Sequence, residues 1–221
     1  MNLVVWQLVA LGILVLGIGL TGTLLIPTRS KRIKKEETRM LKKLYLVPLD
    51  EQSRGISDWL GAKLMGVFQL KVNSGLVAKM PEEAYNPSRD AYFSSVILNK
   101  LQFLKASEDE FLVAITDEDL FTPTTDYLYS SSDKLAGVAI VSTQRLKPEY
   151  YGLPQSTEVL RSRTMKKVVH EIGHILGLEN CEDSNCIMHS SKEVSDIDIQ
   201  SDRFCQRCKV VLTIPSKVSK Y

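Results

Sequence analysis

Between residues 3 and 26 no position is charged and almost all are apolar, a run long enough to cross a bilayer as a helix. Further along, apolar residues come in short groups whose spacing predicts strands and helices in turn. Residues 44–49 form one such group, closed by Pro48 and Asp50, as a short buried strand would be. Ser57 is placed to cap a helix through Gln69, with Trp59, Leu60, Leu64, Val67 and Phe68 recurring at helical spacing on one side. Residues 70–80 are compatible with a second strand. Pro87 and Ser88 then open a helix whose Tyr92, Val96, Leu98 and Phe103 turn largely inward. A continuous apolar strand at 111–115 precedes a polar loop at 117–125 and a further strand at 137–141. Residues 149–157, rich in Tyr, Gly and Pro, break the pattern. One long helix follows from Glu158 to about Leu176 and ends at Gly177. Strands alternating with helices in this way indicate an α/β domain.

The apolar N-terminus reads as an uncleaved anchor rather than a secretory signal. No basic residue precedes it, it exceeds a usual signal core, and no small-x-small cleavage site follows. Arg29, Lys31, Arg32, Lys34 and Lys35 come directly after it, so a single-pass membrane protein with its folded domain in the cytosol is expected. Cysteine usage bears on the same question. Cys181, Cys186, Cys205 and Cys208 are the only four, and they suit either two disulfides or one metal; a reducing compartment favours tetrahedral zinc. The remaining composition is ordinary: 221 residues, 44% hydrophobic, 24% charged, net charge +2. That balance points to no polyanionic partner, so nucleic acid is not expected. The organisation predicted is an anchor at 1–26, a basic linker at 27–43, one folded domain at 44–212 and a tail at 213–221.

The long helix carries the chemistry. In His170-Glu171-x-x-His174 the two histidines lie about 40° apart around a helix, so both imidazoles can meet one metal ion. Glu171, beside the first ligand, can reach a water acidified by that metal and take its proton near neutral pH, which supplies a nucleophile for amide hydrolysis. Gly177 can turn the chain back and bring the third residue after it, Asn180, toward the metal. An amide oxygen is a weaker donor than imidazole, and Glu179 or His189 could replace it as third ligand. Four thiolates spaced like Cys181, Cys186, Cys205 and Cys208 make a closed structural zinc site, which would pin the loop after the helix to the C-terminal helix. Met188 falls where a Met-containing turn would underlie the histidines.

Taken together, His170-Glu171-x-x-His174-x-x-Gly177-x-x-Asn180-Cys181, then Cys186-x-Met188, then Cys205-x-x-Cys208, closely resembles the archaemetzincin family of zinc peptidases. Residues 115–120 and 141–146 are also similar to that family's strand and loop sequences, less specifically. The resemblance implies a compact metzincin-like zincin domain: a mixed twisted sheet, an active-site helix, a Met-turn at Met188 and a C-terminal helix, here preceded by one transmembrane helix. It implies two zinc ions, one catalytic at His170 and His174 with Glu171 as general base, and one structural on the four cysteines. Peptides or proteins would be the substrates. Three departures stand out: Asn180 occupies the position of the family's third histidine, the interval from Met188 to Cys205 is about one residue short, and the apolar N-terminus is atypical. Two functions follow as expectations. One is a membrane-anchored zinc metallopeptidase, aminopeptidase-like or otherwise, with Tyr127, Tyr129 and Tyr151 as candidate lining residues. The other is a catalytically impaired relative acting as a zinc-stabilised binding module at the membrane.

Overall fold

The computed structural model describes residues 43–68, 71–73 and 78–213. The expected membrane helix at 3–26, most of the basic linker and the tail lie outside them. Among the described residues no helix is long and apolar enough to cross a membrane.

A five-stranded sheet forms the centre. It consists of β1 (Lys43–Pro48), β2 (Lys71–Asn73), β5 (Glu110–Thr116), β8 (Ser130–Asp133) and β9 (Val138–Ser142), in the order β2-β1-β5-β9-β8. Its pairs are parallel except β8 against β9, so the sheet is mixed, with β8 on one edge. A smaller sheet joins β3 (Tyr85–Asn86), β4 (Ala91–Phe93), β6 (Leu120–Thr122) and β7 (Thr125–Leu128). Helices are α1 (Arg54–Phe68), α2 (Ser94–Leu104), α3 (Thr157–Ile175), α4 (Val194–Ile199) and α5 (Gln206–Thr213).

Alternation along β5 explains why its sequence is apolar at every position from 111 to 115. Phe111, Val113 and Ile115 join one core with α1 and α3, while Leu112 and Ala114 join a second core with α2. A parallel strand covered on both faces has no polar side to show. β9 divides the same way, Ala139 and Val141 to the first core and Val138 and Ile140 to the second. The domain is therefore three-layered, and α3 lies against β8 and β9 with Val168, Val169 and Ile172 buried.

Several expectations are corrected. α1 begins at Arg54, before Ser57, whose buried hydroxyl instead donates to the Ser53 carbonyl at 2.8 Å. The entry to that helix is fixed by Asp50, which accepts from Ser53 N and also from Thr116 Oγ1 and Asp117 N. Of the strand expected at 70–80, only Lys71–Asn73 is found among the described residues. Pro87 and Ser88 lie in a turn, Tyr92 belongs to β4, and the helix starts at Ser94. Leu98 packs inward as expected, joined by Ile97 and Leu101, while Phe103 is 83% exposed. The polar loop expected at 117–125 contains β6 and the first residue of β7, and β8 follows. The polar sequences of β7 and β8 escape hydrophobic periodicity because pairing with neighbouring strands, rather than burial, holds them.

Candidate active site

α3 starts where expected. The Ser156 hydroxyl accepts from Val159 N at 3.3 Å, and Glu158 sits in the first turn, both favourable at the positive end of a helix. It ends because Gly177 adopts a φ of +102°, open to glycine and strained for other residues. The amides of Gly177 and Leu178 bond back to the carbonyls of His174 and Gly173, both at 2.9 Å. Two buried cations fasten the helix from behind: Arg163 holds both oxygens of Asp198, and Lys166 donates to the Ile197 carbonyl.

Carbonyls from the chain that follows α3 anchor the histidines. His170 Nδ1 lies 2.9 Å from the Ile187 carbonyl, and His174 Nδ1 lies 2.9 Å from the Leu178 carbonyl. A carbonyl only accepts, so each Nδ1 carries the proton and each Nε2 presents a lone pair. Those two Nε2 atoms are 2.9 Å apart. Two lone pairs held that close repel unless a cation lies before them, so the donor set fits a metal such as zinc. Burial, and then the Lys167 ammonium, push the His170 imidazole down to about 4, which keeps it neutral as a ligand must be.

Glu171 is buried, and its Oε1 accepts from Ser130 Oγ on β8 at 2.5 Å. Both His residues and Glu171 line a cavity of about 730 Å³ that Tyr127, Tyr129 and β8 residues also line. Tyr151 does not line it and donates to the Arg145 carbonyl. Desolvation raises the Tyr129 hydroxyl far above its ordinary range, so it stays protonated.

Met188 is completely buried against Gly173, between the two histidines; a Cβ on Gly173 would overlap its sulfur. The chain returns beneath the helix there, with Cys181 N donating to the Met188 carbonyl at 2.8 Å. Asn180 is exposed and borders the cavity. Glu179 is also exposed and pairs with Lys134 at 3.2 Å, whereas His189 does not line the cavity and bonds the Cys181 carbonyl. Among the described residues, no further His, Cys or carboxylate clusters with His170 and His174.

The four cysteine sulfurs all lie within 4.8 Å of one another. No disulfide joins them: Cys181 and Cys205 sulfurs are 3.7 Å apart, Cys186 and Cys208 3.8 Å. Burial alone would raise the Cys181 thiol, but hydrogen bonding, from Arg207 first, brings it down to about 7. Burial raises Cys186 and Cys208. One thiolate is thus ready while these two need a cation, which suits a closed zinc site of four cysteines.

An α3 helix with two converging imidazoles and a carboxylate at the cleft, underlain by a methionine turn, defines a metal-dependent peptidase of the zincin class. Residues 47–213 match the model of peptidase family M54, and the chain belongs to that family, the archaemetzincins, which are zinc metallopeptidases. It is 30% identical over 171 residues to the archaemetzincin of Methanocaldococcus jannaschii, covering 76% of this chain and 92% of that protein. A crystal structure of a zinc-dependent peptidase from Methanocorpusculum labreanum superposes with a TM-score of 0.69 at 28% identity, covering 76% of this chain and 99% of that one. The archaemetzincin of Methanopyrus kandleri gives 0.68 at 29% identity, covering 78% and 94%.

Proposed function

We propose that the cleft hydrolyses peptide bonds, with His170, His174 and Asn180 around one zinc and the four cysteines around a second. The observation that carries this is the pair of carbonyl-anchored imidazoles with Nε2 atoms 2.9 Å apart beside a buried carboxylate. A zinc ion held by His170 and His174 would supply Lewis acidity for the attacking water and the scissile carbonyl. Glu171 takes the proton from the attacking water and returns it to the leaving amine. Ser130 holds the Glu171 carboxylate toward the cleft, and the tight Gly173 to Met188 contact fixes the height of the histidines above the turn. Because β8 is an edge strand along the cavity, an extended peptide can add to it through main-chain hydrogen bonds. The apolar run at 3–26 and the basic residues behind it support a membrane-tethered enzyme facing the cytosol.

Replacing Glu171 by Ala should lower kcat about 10²- to 10⁴-fold without loss of bound zinc. Absence of any zinc-dependent hydrolysis by the wild type across a broad peptide library would reject the enzyme reading. A second reading draws on Asn180, whose weak donor is joined by no other His, Cys or carboxylate among the described residues. In it the domain is a zinc-stabilised binding module, and one zinc per chain, on the cysteines alone, is its signature.

A further inference from the structure

Lys166 and Lys167 are adjacent buried lysines with opposite fates. The Lys166 ammonium is satisfied by the carbonyls of Ile197 and Asp198. Lys167 is only 5% exposed, lines the cavity, and among the described residues its ammonium has no hydrogen bond or ion pair. A largely buried amine that lacks a partner in the cavity gains from an anion that arrives beside it.

Its position is suited to a substrate. Around the α3 axis Lys167 nearly eclipses His174, about 20° away, with His170 and Glu171 about 60° and 40° to either side. Along the helix axis its backbone is about 4.5 Å nearer the helix start than that of His170, roughly one to two extended residues from the scissile bond. The acidic groups lining the same cavity already have partners: Glu171 has Ser130, Glu179 has Lys134, and Asp126 has Arg89. Burial, the larger influence, lowers Lys167 and the nearby Glu171 charge raises it, with no ion pair between the two, so a place beside the amine is left for an anion from outside.

We propose that Lys167 is a specificity-determining residue that receives a substrate carboxylate next to the scissile bond, making acidic or carboxyl-terminated peptides the substrate class. The inference rests on the peptidase reading and names its substrate. A charge-assisted hydrogen bond formed in the cleft favours the charged substrate over its amide congener by about tenfold or more.

The test compares kcat/KM of the full chain on blocked peptides differing only as Glu or Gln on either side of the scissile bond. Short peptides ending in a free carboxylate or an amide form the second arm. A preference of about tenfold or more for the carboxylate in either arm, collapsing toward unity in Lys167→Met and persisting in Lys167→Arg, supports the proposal. The arm that responds tells side-chain from terminal carboxylate. Equal rates for acid and amide in the wild type, or a preference that survives in Lys167→Met, overturns it. If the wild type cleaves none of these peptides, the peptidase reading fails separately. Calorimetric titration with glutarate then decides: saturable heat abolished by Lys167→Met supports the anchor, and heat independent of Lys167 or no heat overturns it.

Discussion

Two metal-fitting sites sit within one stretch of chain, yet they are built on opposite plans. The four cysteines supply a complete set of donors, from loop and helix segments, gathered within 4.8 Å and largely buried. The histidine pair supplies two nitrogens from one helix, opens onto a cavity, and keeps a buried carboxylate beside it. A closed set of donors leaves no position for substrate and holds structure together; an incomplete set at a cleft leaves room for chemistry. The two are coupled, since Cys181 N bonds the Met188 carbonyl and Met188 packs under Gly173.

Breaking the closed site should have the largest effect. Cys205→Ser with Cys208→Ser should remove one zinc per chain and destabilise the fold by several kcal/mol, because the binding free energy of a structural zinc is folding free energy. Metal analysis with thermal unfolding checks this, and retention of zinc with an unchanged Tm would break the contrast. Gly173→Ala, between the sites, should cost about 1–3 kcal/mol as the new methyl displaces Met188. Urea unfolding measures it. Asn180→His sharpens the other side: an imidazole donor at the open site should raise zinc affinity about tenfold or more, read by chelator competition, while leaving the cysteine zinc unchanged.

A further test is on pH. With His170 held down at about 4 against 6.5 in the unfolded chain, the unfolded state binds more protons between those values. The His170 contribution to the stability of the metal-free protein should therefore be fully present above about pH 6.5 and be lost as pH drops toward 4. The slope should be at most about 1.4 kcal/mol per pH unit for this single proton. Urea midpoints at intervals across that range, in wild type and His170→Gln, isolate the contribution.

Much of this was legible in sequence because it depends on local geometry. Histidines four positions apart on a helix must share a face, a glycine is suited to the left-handed turn after it, and paired cysteines close in sequence bring short tethers to one point. The long helix, the core strands β1, β5 and β9, and both donor sets follow from such rules. Phe103 illustrates the limit. It shares a helix face with Val96, and which apolar stripe of that helix meets the sheet is decided by tertiary packing: Ile97, Leu98 and Leu101 are buried and Phe103 is not. Likewise Ser130-Ser131-Ser132-Asp133 carries no strand signal, and its pairing with β9 makes it one.

The amino-acid sequence by itself determined which residues could bind metal and which could move a proton, since spacing on one helix or within one short loop is a covalent matter. Only the tertiary structure decided that Ser130 comes from another strand to hold Glu171, that Glu179 and His189 turn to other partners, and that of two neighbouring lysines one is buried against carbonyls and the other in the cleft. Those outcomes depend on contacts between segments far apart in the chain, which local spacing does not encode.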